Sequence, residues 1–170
     1  MADAVKYILD ANIFIEAKRR YYAFNLCPGF WDSLLHHNSM GNLESIDHVR
    51  KELLEGKDNL AAWSQKAPDF FFASTDSELV TTAYRDIIQW VQSQERFFDA
   101  AKSRFADDPD AWVIAYAKAN NVVVATEEKS APKSRKVVKI PDVCKHFNVK
   151  CTDTFDMLQK LGVVFNWKAP

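Results

Sequence analysis

The chain has 170 residues, 48% hydrophobic and 26% charged, with 22 basic and 23 acidic side chains and a net charge of −1. That length supplies one domain with its own core, burying roughly 70% of the unfolded surface without metal or disulfide staples. The balance excludes a disordered chain, a coiled coil or a collagen-like repeat, and the near-zero charge excludes a global field that draws in nucleic acid. A polyanion therefore has to be met by a local basic patch or by metal ions. Three cysteines (Cys27, Cys144 and Cys151) lack CxxC spacing and read as reduced core thiols of a cytoplasmic protein. The opening stretch carries Asp3 and Asp10 and has no basic end before an apolar run, unlike a signal peptide. The longest uncharged stretch, Tyr21 to Trp31, falls short of the about 18 apolar residues that span a bilayer. A soluble, cytoplasmic protein with no membrane contact is the expectation.

In chain order, Val5 to Leu9 is a short apolar run ending at Asp10, as in a buried parallel strand. Asn12 to Tyr22 follows helical spacing, and Pro28 opens a second helix through Trp31, Leu34 and Leu35. Leu43 to Ile46 suits a short strand, with Asp47 as N-cap of a helix that ends at Gly56. Phe70 to Ala73 reads as a strand or as a helix-packing corner. Thr75-Asp76-Ser77-Glu78 has the form of a capping box before a long helix with Leu79, Ala83, Ile87 and Val91 on one face. A further helix covers about Arg96 to Phe105. Asp108-Pro109-Asp110 opens another, with Asp108 as N-cap and Pro109 in the first turn. Val122 to Ala125 is a strand, followed by a basic loop and a short helix from Ile140-Pro141-Asp142. Val149 to Thr152 is a last strand and Phe155 to Leu161 a last helix. No internal repeat or low-complexity tract is present. Strands alternating with helices predict an α/β sandwich on a parallel sheet, whose ligand site lies at the carboxyl ends of the strands.

That rule gathers the acids. Asp10 ends the first strand, and Glu128 stands two residues past Thr126 at the end of the Val122–Ala125 strand. Asp110 lies in the first turn of the helix that feeds this strand, and Glu52 is mid-helix between Val49 and Leu53. Two unit charges about 4 Å apart repel by roughly 4 kcal/mol at an effective dielectric of about 20, so such a group stays protonated in part or takes a divalent cation. All-oxygen ligands select Mg²⁺ or Mn²⁺ over zinc, and such ions activate water against a phosphodiester. The four histidines (His36, His37, His48 and His146) have no zinc-motif spacing.

The order Ile8-Leu9-Asp10-Ala11-Asn12-Ile13-Phe14-Ile15, then Val49-Arg50-Lys51-Glu52-Leu53, Asp110-Ala111-Trp112-Val113-Ile114-Ala115-Tyr116-Ala117 and Val124-Ala125-Thr126-Glu127-Glu128 resembles a PIN domain. Tyr21 to Trp31 resembles a PIN-like subfamily within that group. The resemblance runs over nearly the whole chain. It implies a Rossmann-like PIN fold, a mostly parallel central sheet of about four or five strands sandwiched by helices. It also implies a Mg²⁺- or Mn²⁺-dependent endoribonuclease, the toxin component of a type II toxin–antitoxin pair. In-line attack by water would leave a 5′-phosphate and a 3′-hydroxyl.

By the same resemblance Asp10, Glu52, Asp110 and Glu128 are the catalytic, metal-holding acids, while Asn12 and Thr126 support them without direct ligation. Glu128 stands where Asp is usual, and Glu127 is its rival; Glu44 is the rival of Glu52. Asp108 reads as a cap and Asp107 as solvent-facing. RNA would run over Lys129, Lys133, Arg135, Lys136 and Lys139, in an acid-free stretch, and over Lys18, Arg19 and Arg20 beside the rings of Tyr21 and Tyr22. An antitoxin would block the acidic groove, and exposed aromatics would support a homodimer. Three other readings stay open: an inactive PIN-like module that binds RNA or a protein partner, a phosphatase or phospho-receiver, and a flap-cleaving deoxyribonuclease. The phospho-chemistry wants a second Asp near Asp10, where this chain has Leu9 and Asn12. The flap nuclease wants a helical arch that the chain lacks.

Overall fold

Short, nearly continuous apolar runs become central strands here because both faces of the sheet are covered by helices. The structure, a computed structural model, describes residues 6–170. The first strand, β1 (Tyr7–Leu9), is buried along its whole length. Val5, expected to begin it, lies outside the described residues, as does Asp3.

On one side β1 pairs with β2 (Leu43–Ile46), which pairs with β3 (Phe72–Ala73). On the other it pairs with β4 (Val123–Ala125), which pairs with β5 (Cys151–Thr152). The order β3-β2-β1-β4-β5 is parallel throughout, as the sequence led us to expect. The registers Leu9↔Ala125 and Ala125↔Thr152 align the carboxyl ends of three neighbouring strands. The chain direction along the order reverses between β1 and β4, which is the switch point where open α/β sheets bind ligands.

The helices are α1 (Ala11–Arg19), α2 (Pro28–Ser39), α3 (Asp47–Glu55), α4 (Asn59–Lys66), α5 (Glu78–Ser93), α6 (Asp99–Asp107), α7 (Asp110–Asn120), α8 (Ile140–His146) and α9 (Thr154–Lys160). A 3₁₀ turn at Asp69–Phe71 precedes β3, so the Phe run is both the corner and the start of a strand. None of the described helices is long and apolar enough to cross a membrane.

The middle layer is α7. Ala111, Val113, Ile114, Ala115 and Ala117 are all buried, because one side of the helix meets β1 and β4 and another meets α5. A helix apolar on so many sides is stable only when covered this way. It ends at Asn121, whose left-handed φ of 53° turns the chain into β4. Two residues past Asp110, the Trp112 ring lies between Tyr84 of α5 (3.8 Å) and His48 of α3 (4.6 Å), both stacked. His48 is one turn before Glu52, so this stack locks the Glu52 helix to the Asp110 helix.

Several local expectations are corrected. Asp47 is the first residue of α3, not its cap. Its carboxylate accepts from Thr75 N at 3.1 Å and Thr75 Oγ1 at 3.0 Å, tying α3 to the end of β3. With Thr75 committed there, the cap of α5 is Ser77, which accepts from Val80 N at 3.2 Å. Pro109 occupies the N-cap position of α7 and Asp108 closes α6. Helix α4 was not expected; Asp58 caps it by accepting from Ala61 N at 3.0 Å. Of the cysteines only Cys144 is buried; Cys27 is half-buried and Cys151 exposed, and all are free thiols.

Ile114 of α7 is fully buried. Ile114→Ala is expected to cost about 2–5 kcal/mol in urea unfolding, with the transition staying cooperative.

Candidate functional site

Asp10 follows β1 directly, its backbone N–H donating to Ala125 O of β4 at 3.0 Å. It stands at the N-cap of α1 but its side chain caps nothing. Instead Oδ2 accepts from Thr126 Oγ1 at 2.9 Å, and Oδ1 is buried with no hydrogen-bond partner among the described residues. The side chain is fully buried. Burial pushes its pKa up to about 7; the Thr126 hydroxyl and the Ala11 backbone N–H oppose the rise, and Glu128 and Glu52 add to it.

Thr126 is the hinge of the site. Its hydroxyl donates to Asp10 and accepts from Glu128 N at 3.1 Å, so each role of the group is committed. Its own N–H donates to Thr152 O of β5 at 3.0 Å, holding the residue at the sheet edge.

Asp110, at the first position of α7, is pushed up to about 8 by burial, then by Asp10, Glu128, Asp108 and Glu52. Glu52 keeps an exposed face at the rim, and its carboxyl is raised by partial burial, Asp108 and Glu55. Asp108 joins the same field: burial and Asp107 raise it and Arg104 lowers it. Asp108 is thus more than a cap: it precedes Asp110 by two residues, across Pro109, and adds to the same charge.

The rivals are separated by what they touch. Glu44 lies within β2, accepts from the Tyr116 hydroxyl at 2.6 Å and pairs with Lys6 at 2.9 Å, away from the acids. Glu127 turns to the opposite side of the chain from Glu128 and accepts from Thr154 N at 3.0 Å and from the Thr154 hydroxyl. Glu128 faces Asp10 and Asp110 electrostatically, yet its oxygens are engaged: Oε2 accepts from Ile140 N at 2.8 Å, and Oε1 lies 3.5 Å from Lys139 Nζ. Asn12 sits second in α1, its amide making no hydrogen bond among the described residues. Among the described residues no three acid, histidine or cysteine side chains converge in the way that holds one metal ion. The four acids act on one another's charge without being drawn around a point.

The basic residues divide similarly. Lys18 pairs with Asp58, and Arg19 and Arg20 both pair with Glu16, at 3.5 and 3.1 Å. Arg135 is a strap: its guanidinium lies 4.8 Å from the Phe98 ring, and Nε donates to Arg96 O at 3.3 Å. Lys129, Lys133 and Lys136 are exposed on the loop that leaves the acidic edge. Tyr22 stacks on Phe30 at 4.5 Å and serves packing, whereas Tyr21 is 71% exposed.

An acid whose pKa is higher folded than unfolded holds more protons in the folded state, so stability falls as pH rises between the two values. For Asp110 the window runs from 3.8 to about 8. In EDTA, Asp110→Asn is therefore expected to raise the melting temperature at pH 8 by at least about 3 °C and to leave it unchanged at pH 4, as scanning calorimetry would read.

No curated protein and no solved structure matches the chain. The family described as "Domain of unknown function (DUF4411)" matches residues 7–165, from β1 into the tail beyond α9. The chain belongs to the DUF4411 family.

Proposed function

We propose that the protein is a Mg²⁺- or Mn²⁺-dependent endoribonuclease of the PIN type, acting at the carboxyl edge of β1 and β4. The observation that carries this reading is the Asp10 carboxylate, fully buried at the switch point with Oδ1 unpartnered and three further acids within electrostatic reach. An unpartnered buried oxygen at an acidic edge fits a hard cation held by Asp10 and Asp110, with Glu52 and Glu128 at its rim. When bound, such an ion would neutralise the acids and supply the polarisation of a phosphodiester and of an attacking water.

The chain's own residues do the positioning. Thr126 fixes which oxygen of Asp10 is free. Asp10 and Asp110, raised above the usual carboxylate range, hold protons near neutral pH that a bound cation would displace. Lys129, Lys133 and Lys136 line the exit for an RNA backbone. The reading includes an antitoxin protein that covers the acidic edge and a homodimer, supported by exposed Leu26 and Trp167.

A second reading, a PIN-like module that binds RNA without cutting it, is favoured by the engagement of Glu128 with Ile140 and Lys139 and by the lack of three converging ligands among the described residues.

Incubation of a mixed structured RNA pool with Mg²⁺, Mn²⁺ or EDTA separates the two. Cleavage is expected only with metal, reduced about 100-fold or more in Asp10→Asn and about 10- to 100-fold in Thr126→Val. RNA retention without turnover in every lane, together with no heat of Mn²⁺ binding, would establish the non-cutting module instead.

A further inference from the structure

Beside the acidic edge lies a cleft of about 350 Å³ between the end of α1 and the start of α9. Tyr21, Tyr22 and Phe155 form its walls, and Arg20, Glu127 and Lys129 its polar positions. Tyr22 is anchored from behind by Phe30 and from the side by Phe165 at 5.8 Å, so its ring is a fixed wall. Tyr21 and Phe155 are 71% and 52% exposed, rings held at the mouth in contact with water.

The cleft adjoins the candidate site through the segment that follows β4. Consecutive side chains of an extended chain point to opposite sides, and after β4 Glu128 turns to the acids while Glu127 turns into this cleft. Lys129 lines both this cleft and the smaller one that contains Thr126 and Glu128. Thr126, which holds Asp10, and Glu128 thus share a cleft with Lys129, and Lys129 borders the aromatic cleft as well.

The lining also chooses what enters. The Glu127 carboxylate rejects a phosphate inside, Glu16 being paired with Arg19 and Arg20, and the exposed Lys129 suits a phosphate at the rim. Flat aromatic walls suit a base, since unpaired RNA bases stack on such rings. Glu127 spends only Oε1 on Thr154; Oε2 makes no hydrogen bond among the described residues. A carboxylate accepts and cannot donate, so it selects a base edge with adjacent N–H donors, which guanine presents at N1 and its 2-amino group.

We propose that this cleft binds one unpaired guanine of the RNA, next to the phosphate lying at Asp10 and Asp110. The choice of RNA as the polymer rests on the ribonuclease reading; the cleft's chemistry stands on its own residues.

The test is fluorescence anisotropy in EDTA with labelled pentaribonucleotides U-U-G-U-U, U-U-A-U-U, U-U-C-U-U and U-U-U-U-U, so that binding is read without cleavage. The wild type is expected to bind the guanine pentamer at least about fivefold more tightly than the others. Tyr21→Ala and Phe155→Ala, at exposed positions, each weaken all four by about tenfold. Glu127→Gln keeps an acceptor for Thr154 and is expected to lose the guanine preference while the other three pentamers bind as before. Equal affinity for all four by the wild type, or affinities unchanged in the variants, overturns the proposal. So does the absence of any binding, the result expected if the cleft takes a protein segment. If metal-dependent cleavage persists alongside any of these failures, the cleft assignment falls and the nuclease reading stands. Guanine binding with no cleavage does the reverse.

Discussion

A single carboxylate taken out of water organises this protein's carboxyl edge. β1 has a parallel neighbour on each side and helices over both faces, so the residue that follows it is inside the fold by default. Asp10 at that position meets one hydroxyl, from Thr126, and nothing on its other oxygen among the described residues. A buried charge with one partner is unfavourable, and the chain relieves it by holding the proton more tightly. The same field reaches Asp110, so the two groups are one electrostatic unit joined across the switch point of the sheet.

The surroundings keep that unit in place with packing remote from it. Trp112, stacked between His48 and Tyr84, joins the helices that carry Glu52 and Asp110. The two glutamates after Thr126 act as opposed anchors, Glu127 on the start of α9 and Glu128 on the start of α8. Each accepts an N–H that a helix start would otherwise leave unpaired. The short β4 strand thereby fixes the entry of both C-terminal helices, and the residues between them follow.

Charge is distributed with the same economy. Most cations of the first helix are matched within the chain, and Arg135 holds the long loop to the α5–α6 connection by its aromatic contact. Basic residues without such ties among the described residues, Lys129, Lys133 and Lys136, cluster on the loop next to the acids. A chain with nearly no net charge can still present a cationic track this way, because a field at a few ångströms depends on arrangement rather than on the sum.

The order of strands and helices and the placement of Asp10 and Glu128 at one edge were legible in the residues themselves, whereas Asp110 and Glu52, carried on helices, were joined to them by the family resemblance alone. Apolar runs ending at an acid, and helix starts marked by Pro or Asp, are local signals with local causes. Helix α4 escaped because its apolar residues, Leu60, Ala61 and Trp63, are too few to mark a period beside Asp58 and Asn59. What only the tertiary structure decided was partnership: that Thr75 answers Asp47 instead of capping α5, that Lys18 belongs to Asp58, that Asp108 joins the acids, and that Glu127 and Glu128 face opposite ways. Periodicity along the chain records which face a side chain takes. Which distant group waits on that face depends on how the helices close over the sheet, and packing forces settle that only once the whole core has formed.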